Sequence, residues 1–581
     1  MARRKKSLVK TIYKVMAIQF VLGLLALIVI ELIVIFALRY GNRIRPDSVL
    51  VLRVRGVVTE EAPQGLFADA SSGQVTVLSD LLEALDRAAG DDRINGLVLR
   101  PGSFSMNMGK IQELRDKIRD FNRSGKFTAA FLESADNRSY YLATACESIS
   151  FVPHSILAVK GMMAQATFLR GTLDLLGVRT DVIHTGDYKT AANYLTEKGY
   201  TAAHREATRK LLEDWYKGFI SGLGEGRQIF PKRMAALVAE GPFTSGEALE
   251  AGLVDRLAYR DEFDDWIKQK NNGSENRVGV SRYLARTEGE GNFQVAVVYT
   301  SGTITTGESR ENMLLGRIAG STTVSEHLRR AREDDSYKAV ILRVDSPGGS
   351  VIASEIMRRE VSLTQKKKPV VVSMSDVAAS GGYWIAMGAD RIVAQPGTVT
   401  GSIGVIALKP NLRGLYEKMG MTKDYVAMTE NATLEWPFES FTPKQRAKLK
   451  KIIDGTYDTF LRGVSEGRSM ELDKVKSIAQ GRVWTGVQAR SLGLVDALGG
   501  MDKAVEIAKQ LADIPEDEKV RLVHITTRRS LLEKISEMVN RFAGSSSSVS
   551  RTALLEAARA GIAPLLEETV WAVIPSVPEV Q

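Results

Sequence analysis

Along most of this chain, short apolar or period-2 runs alternate with stretches whose apolar residues recur at helical spacing. In the second half the order is VAVVYTSGTI, a helical pattern around Val324–Glu333, AVILRV, a helix from Val351, PVVVSM, and a helix from Ser380. Strands and helices taking turns in this way predict a mostly parallel sheet covered by helices. A different pattern opens the chain. Val15–Leu38 is an almost unbroken apolar run of 24 residues. As a helix it reaches roughly 36 Å, enough for a bilayer core of about 30 Å.

The pattern is written twice. LEALDRAAGDDRINGLVLR (Leu82–Arg100) lies over SEHLRRAREDDSYKAVILR (Ser325–Arg343) at a constant offset of 243 residues. Leu85, Arg87, Ala88, Asp91, Asp92, Leu99 and Arg100 meet identical residues there. Tyr140, Ala143, Ile149 and Pro153 fall on Tyr383, Ala386, Ile392 and Pro396. TSGEALEAGLVD (Thr244–Asp255) matches TGVQARSLGLVD (Thr485–Asp496) at an offset of 241. So little drift over so long a stretch marks a duplication. KNNGSENRVG and RTEGEGN, polar and Gly-rich, are expected to link the copies. The second copy is expected to end near Leu511. The remainder holds a serine run, Gly544–Arg551, and an amphipathic stretch, TALLEAARAGIAPLLEETVW, read as an appendage or a docking helix.

Composition changes this picture in one respect. With 581 residues, 44% hydrophobic and 25% charged, the chain is globular and multidomain. Its formal charge of +9 is concentrated around the apolar run. Arg3, Arg4, Lys5, Lys6, Lys10, Lys14, Arg39, Arg43 and Arg45 stand against Glu31 alone. The basic balance therefore does not indicate nucleic acid. Six of those residues precede the run, which predicts a cytoplasmic N-terminus and a translocated bulk. No small-residue cleavage site follows, so an anchor is expected rather than a removed signal peptide. Glu31, inside the span, is expected to face a partner helix or a lipid headgroup. A single cysteine, Cys146, excludes an intrachain disulfide and reads as a buried structural thiol on a helix.

Candidate chemistry centres on SDVAASGGYW. Ser380 sits where a strand gives way to a helix, followed by Gly381 and Gly382. Glycines permit close backbone approach, and helix-start amides can stabilise developing negative charge. DSPGGS (Asp345–Ser350) ends the neighbouring strand. The amides of Gly348 or Gly349, with that of Gly381, are candidates for an oxyanion hole. None of the five histidines, His154, His184, His204, His327 and His524, lies in a triad-like motif, and His327 reads as surface. The alternative base is a lysine held neutral. The duplication points to one. DVIHTGDYKTAAN lies over DYVAMTENATLEW, so Lys189 meets Ala432, while Ser380 meets Asn137 and DSPGGS meets GSFSMN. The first copy keeps the lysine and the second keeps the serine and glycines, as if two sites had become one split site.

These motifs, DSPGGS, SDVAASGGYWIAMGAD, TGSIGV and GDYKTAAN, resemble the long, tandem-domain signal peptide peptidases (the protease IV group) of the S49 Ser-Lys peptidase family. The resemblance covers roughly Val49–Leu511 plus the anchor. It implies two tandem crotonase/ClpP-like α/β domains behind an N-terminal transmembrane helix. The expected division is a basic cytoplasmic segment at 1–14, an anchor at 15–38, an N-terminal repeat at 48–270, a linker at 271–292, a C-terminal repeat at 293–511 and a tail at 512–581. It also implies Ser380 as nucleophile, Lys189 as general base and Ser402 of TGSIG as a contact of the lysine amine. The implied activity is cleavage of released signal peptides and other apolar peptides through an acyl-enzyme, without cofactor or metal. A homotetramer at a bacterial inner membrane is implied, with the catalytic domains on the outer side and the bilayer as a partner. Two other readings stay open: an inactive membrane scaffold, and an acyl-CoA hydratase or isomerase of crotonase type.

Overall fold

The central strands of the second half are apolar on both faces because helices cover both. Every residue of Val370–Ala379 is buried, as a strand inside an α/β layer structure requires. The computed structural model describes residues 43–62, 75–312 and 316–526, and the backbone of 570–573 and 579–580. The apolar run Val15–Leu38 lies outside the described residues. Among the described residues, no helix is long and apolar enough to cross a membrane.

The two halves form sheets of equivalent order. In the first, Arg256–Leu257, Ser148–Phe151, Phe127–Leu132, Ile94–Ser105, Ser48–Thr59 and Arg277–Gly279 are neighbours in parallel. In the second, Ala497–Leu498, Arg391–Ala394, Val370–Ala379, Tyr337–Ser346, Phe293–Ser301 and Val520–His524 follow the same order, also in parallel. The residues identical between copies explain themselves here. Tyr140 donates its hydroxyl to the Leu253 carbonyl at 2.6 Å, and Tyr383 to Leu494 at 2.9 Å. The carboxylates of Asp255 and Asp496 accept from the amides of Ile149 and Ile392, each at 2.7 Å. Thr244 and Thr485 both cap the helix that follows with a reciprocal box.

Several expectations are corrected. Residues 271–292 are more than a connector: Arg277–Gly279 pairs with Ser48–Thr59 at the sheet edge. Likewise Val520–His524, beyond Leu511, pairs with Phe293–Ser301. Each copy thus closes one sheet edge with a strand that follows its last long helix, which removes unpaired backbone groups. Polar flanks concealed both strands, Gly-containing ones around the first and the charged run PEDEK before the second. The stretch read as an amphipathic tail ends in a strand, Val570–Val573. Cys146 is buried but lies past the end of the helix Asn137–Ala143. His327 is buried, only 7% exposed, on the inner face of the helix Ser321–Glu333.

The halves are joined by buried charge. Arg343 pairs with Glu60 at 2.8 Å and with Glu113, both from the first half. Lys110, on the first-half helix Met108–Arg123, reaches Asp345 at 2.5 Å and Asp376 at 3.2 Å. Asp376 also accepts from the backbone amides of Asn107 and Lys110. Gly109 lets this helix start sit on the strand Val370–Ala379, since a Cβ there would stand 2.7 Å from the Ser375 carbonyl oxygen. Segment GSFSMN, which lost its glycines, has become part of this joint.

A third sheet crosses the boundary between halves. Its order is Arg310–Asn312, Gly316–Gly320, Thr303–Thr305, Gly348–Ser350, Val570–Val573, Val405–Asn411 and Arg179–Thr185. The last of these belongs to the first half. It runs antiparallel along the whole of Val405–Asn411, from Thr185 opposite Val405 to Arg179 opposite Asn411.

Candidate active site

That inter-half pairing delivers a lysine. Lys189 follows Arg179–Thr185 by four residues and is fixed by a loop of the second half. The Tyr188 amide donates to the Gln480 carbonyl at 2.8 Å. Gly481, at φ +74°, lies against Lys189; a Cβ there would be 2.6 Å from the lysine's own Cβ. The same loop holds Ser402, whose amide donates to the Arg482 carbonyl at 2.7 Å. Gln480, Gly481 and Arg482 therefore align two groups of the site. The sequence reading missed them, because nothing in AQGR marks a loop that supports chain elsewhere.

Ser380 links the strand Val370–Ala379 to the helix Gly381–Ala386 at φ +56° and ψ −112°. Such a conformation is strained for a residue with a Cβ. It is held from both sides. The Ser380 amide donates to the Gly401 carbonyl at 2.8 Å, and the Ser380 carbonyl accepts from Trp384 at 2.8 Å. Ser402 is likewise at positive φ, +52°.

The side chains converge. Lys189 Nζ lies 2.7 Å from Ser380 Oγ, and 3.1 Å from both the carbonyl oxygen and Oγ of Ser402. Lys189 is 2% exposed, and Ser380 and Ser402 are fully buried. Burial lowers the Lys189 pKa well below its ordinary value, because a desolvated ammonium is disfavoured against the neutral amine. A neutral amine has two N–H donors and one lone pair. Its three contacts match that inventory if Ser402 takes both N–H groups and the Ser380 hydroxyl donates to the lone pair. Among the described residues, no hydrogen bond joins Ser380 Oγ to a histidine.

The glycine loop stands beside the serine. A Cβ on Gly381 would lie 2.6 Å from Ser354 Oγ and 3.0 Å from the Gly349 amide nitrogen. On Gly382 it would lie 2.8 Å from the Ser346 carbonyl oxygen. Both glycines of ASGG are thus needed for contact with DSPGGS. The two loop candidates differ. The Gly348 amide donates to Ser346 Oγ at 3.1 Å, while the Gly349 amide nitrogen stands beside Gly381. Asp345, which opens this loop, is held by Lys110.

The counterpart positions have other uses. Asn137, opposite Ser380 in the repeat, clamps a turn: its Nδ2 donates to the Gly161 carbonyl at 2.6 Å and its Oδ1 accepts from the Lys160 amide at 3.2 Å. Ala432, opposite Lys189, is exposed in the short turn Glu430–Thr433.

Known proteins resemble this chain over both copies. The model of peptidase family S49 matches residues 120–273 and again 362–515. The chloroplastic serine protease SPPA of Arabidopsis thaliana is 34% identical over 85% of this chain and 73% of its own length. Protease 4 of Salmonella typhi is 31% identical over 80% of this chain and 79% of its own. Among solved structures, a mutant of the 1510-N membrane-bound stomatin-specific protease aligns at a TM-score of 0.26 and 16% identity, covering 40% of this chain and 97% of that one. The chain is a serine protease. It belongs to peptidase family S49, in the tandem form with one family domain per copy.

Proposed function

We propose that the chain is a membrane-anchored endopeptidase in which Ser380 is the nucleophile and Lys189 its general base, joined within one chain. The observation that carries this reading is the 2.7 Å approach of a fully desolvated amine to the serine hydroxyl. Lys189 accepts the Ser380 proton as Oγ attacks the peptide carbonyl. The resulting ammonium is stabilised by Ser402, which offers two oxygens at 3.1 Å. The amides of Gly349 and Gly381 receive the oxyanion, a contribution of roughly 3–4 kcal/mol for each donor. The ammonium returns its proton to the leaving amine, and the neutral amine then activates the water that releases the acyl group.

The substrates on this reading are apolar peptides, released signal peptides among them. The N-terminal run Val15–Leu38 with its basic flanks would hold the catalytic halves on the outer face of a bacterial inner membrane, where such peptides emerge. A homotetramer is part of the proposal, although the Ser-Lys pair does not depend on it. A fluorophosphonate probe tests the chemistry. It should label the wild-type chain and leave Ser380→Ala unlabelled; equal labelling of both would remove Ser380 from the mechanism.

A further inference from the structure

Lys189 is buried against Ser380, but its chain neighbour Tyr188 is half-buried and meets other groups. The Tyr188 hydroxyl donates to Glu206 Oε2 at 2.9 Å. Glu206, on the helix Ala202–Arg227, also pairs through Oε1 with Nη2 of Arg482 at 3.0 Å. The guanidinium carbon of Arg482 stands 4.6 Å from the ring centroid of Tyr188 and 4.6 Å from that of Trp484. A guanidinium over an aromatic face at this range is attracted by the ring and packs on it as a flat plate. Arg482 Nε is buried and, among the described residues, has no hydrogen-bond partner. Two rings and Glu206 hold the group. Tyr188 and Glu206 come from the first half, Arg482 and Trp484 from the second.

This clasp bears on each residue of the site. Tyr188 directly precedes Lys189. The Arg482 carbonyl accepts from the Ser402 amide at 2.7 Å. Trp484 lies in the strand Val483–Thr485, which pairs antiparallel with Val399–Gly401, Thr400 opposite Trp484. Gly401 in turn accepts from the Ser380 amide at 2.8 Å, and a Cβ on Gly401 would lie 2.8 Å from Trp484 Cδ1.

The duplication supplies an independent reason to attach a role to these four side chains. Tyr188 falls on Asn431 at the offset that puts Lys189 on Ala432. Glu206 follows the helix cap Thr201 as Ala447 follows the cap Thr442. Arg482 and Trp484 fall on Gly241 and Phe243 at the offset of 241. The copy that kept the lysine has Tyr188 and Glu206, and the copy that kept the serine has Arg482 and Trp484. The clasp is divided between the copies in the same way as the site.

We propose that Arg482 is a positioning residue for the Lys189 base: its guanidinium, held over Tyr188 and Trp484 and paired with Glu206, fixes the lysine arm of the first half against the serine of the second. This inference rests on the proposed Ser-Lys site. A displacement of a reacting group by about 1 Å can cost roughly 10²-fold in rate, so a contact outside the chemistry can govern it.

The test uses the full chain and an internally quenched peptide of apolar residues. Arg482→Met keeps the stem of the side chain and removes the plate. Its kcat should fall about tenfold to a hundredfold, with KM little changed. The acid limb of its pH–rate profile should move to higher pH, because a loosened arm lets water reach the amine and favours the ammonium. A residue that only stabilised the fold would leave that limb in place in the molecules that stay folded. Arg482→Lys keeps a charge for Glu206 but no plane for the rings, and should behave like Arg482→Met. Tyr188→Ala removes the first-half ring and should show the same two changes; it gives the reading even if Arg482→Met does not fold. Combining Arg482→Met with Tyr188→Ala should be no slower than the slower single variant, since both break one contact. A wild-type kcat and acid limb in Arg482→Met or Tyr188→Ala, multiplied losses in the double variant, or full activity in Arg482→Lys would overturn the proposal. Lys189→Met, assayed alongside, reads the Ser-Lys pair separately. Wild-type activity there removes the pair, whereas its loss beside unaffected Arg482 variants removes only the clasp.

Discussion

Lys189 Nζ and Ser380 Oγ are 2.7 Å apart although 191 residues separate them in the chain. The antiparallel pairing of Arg179–Thr185 with Val405–Asn411 makes this possible, because it carries a segment of the first copy into the second. Neither copy holds both residues.

Lys189→Met should abolish peptide hydrolysis, with kcat falling about 10²–10⁴-fold, the usual contribution of a positioned base. The same variant should be more stable than wild type at neutral pH. Burial lowers the Lys189 pKa in the folded chain, so between that lowered value and about 10.4, the free-lysine value, the unfolded chain binds more protons. Wild-type stability then rises with pH across the window, by about 1.4 kcal/mol per pH unit, and the variant's advantage shrinks toward its upper end. Thermal melts of both proteins from pH 7 to 10 check this; a constant gap would mean that Lys189 is charged in the fold.

Catalysis should follow the same proton. kcat/KM is expected to fall on acidification as Lys189 takes up a proton, and to level off above its folded pKa. Ser402→Ala removes one acceptor of the Lys189 amine. It should lower kcat about tenfold, the equivalent of one hydrogen bond of about 1.4 kcal/mol, with KM little changed. A pH–rate series on both proteins decides it.

Gly381→Ala places a methyl 3.0 Å from the Gly349 nitrogen and 2.6 Å from Ser354 Oγ. The glycine loop must retreat and the oxyanion loses a donor, so kcat should drop about 10²–10³-fold. Circular dichroism and probe labelling should show a folded chain with slow acylation. Gly388→Ala, where a Cβ meets nothing within 4 Å, is the control and should keep wild-type rates.

Lys110→Met strands the carboxylates of Asp345 and Asp376 in the joint between the halves. Breaking a buried pair by removing one partner costs about 3–5 kcal/mol. Urea denaturation should register that loss. Activity should fall as well, since Asp345 opens the loop that carries Gly349.

Cys146 is buried, and burial pushes its thiol up to about 12. It should resist iodoacetamide in the native chain at pH 8 and react fully in guanidinium. Rapid native labelling, followed by peptide mapping, would count against a structural thiol.

Much of this protein is determined locally and can be read from its sequence. Alternating strands and helices, and the identities at Tyr140/Tyr383 and Asp255/Asp496, follow from patterns repeated at a fixed offset, because each copy solves the same packing problem with the same contacts. The complementary retention of Lys189 and Ser380 was visible for the same reason. Tertiary structure decided what no local pattern encodes. It brought the lysine arm beside Val405–Asn411, used Gln480–Arg482 to fix Lys189 and Ser402 together, and bonded the Gly348 amide to Ser346 Oγ. It also drew three short segments, Arg277–Gly279, Val520–His524 and Val570–Val573, into sheets. Strands of three to five residues with polar or Gly-rich flanks carry too little periodicity to announce themselves. Their pairing depends on which edge stands open when the rest of the chain has folded.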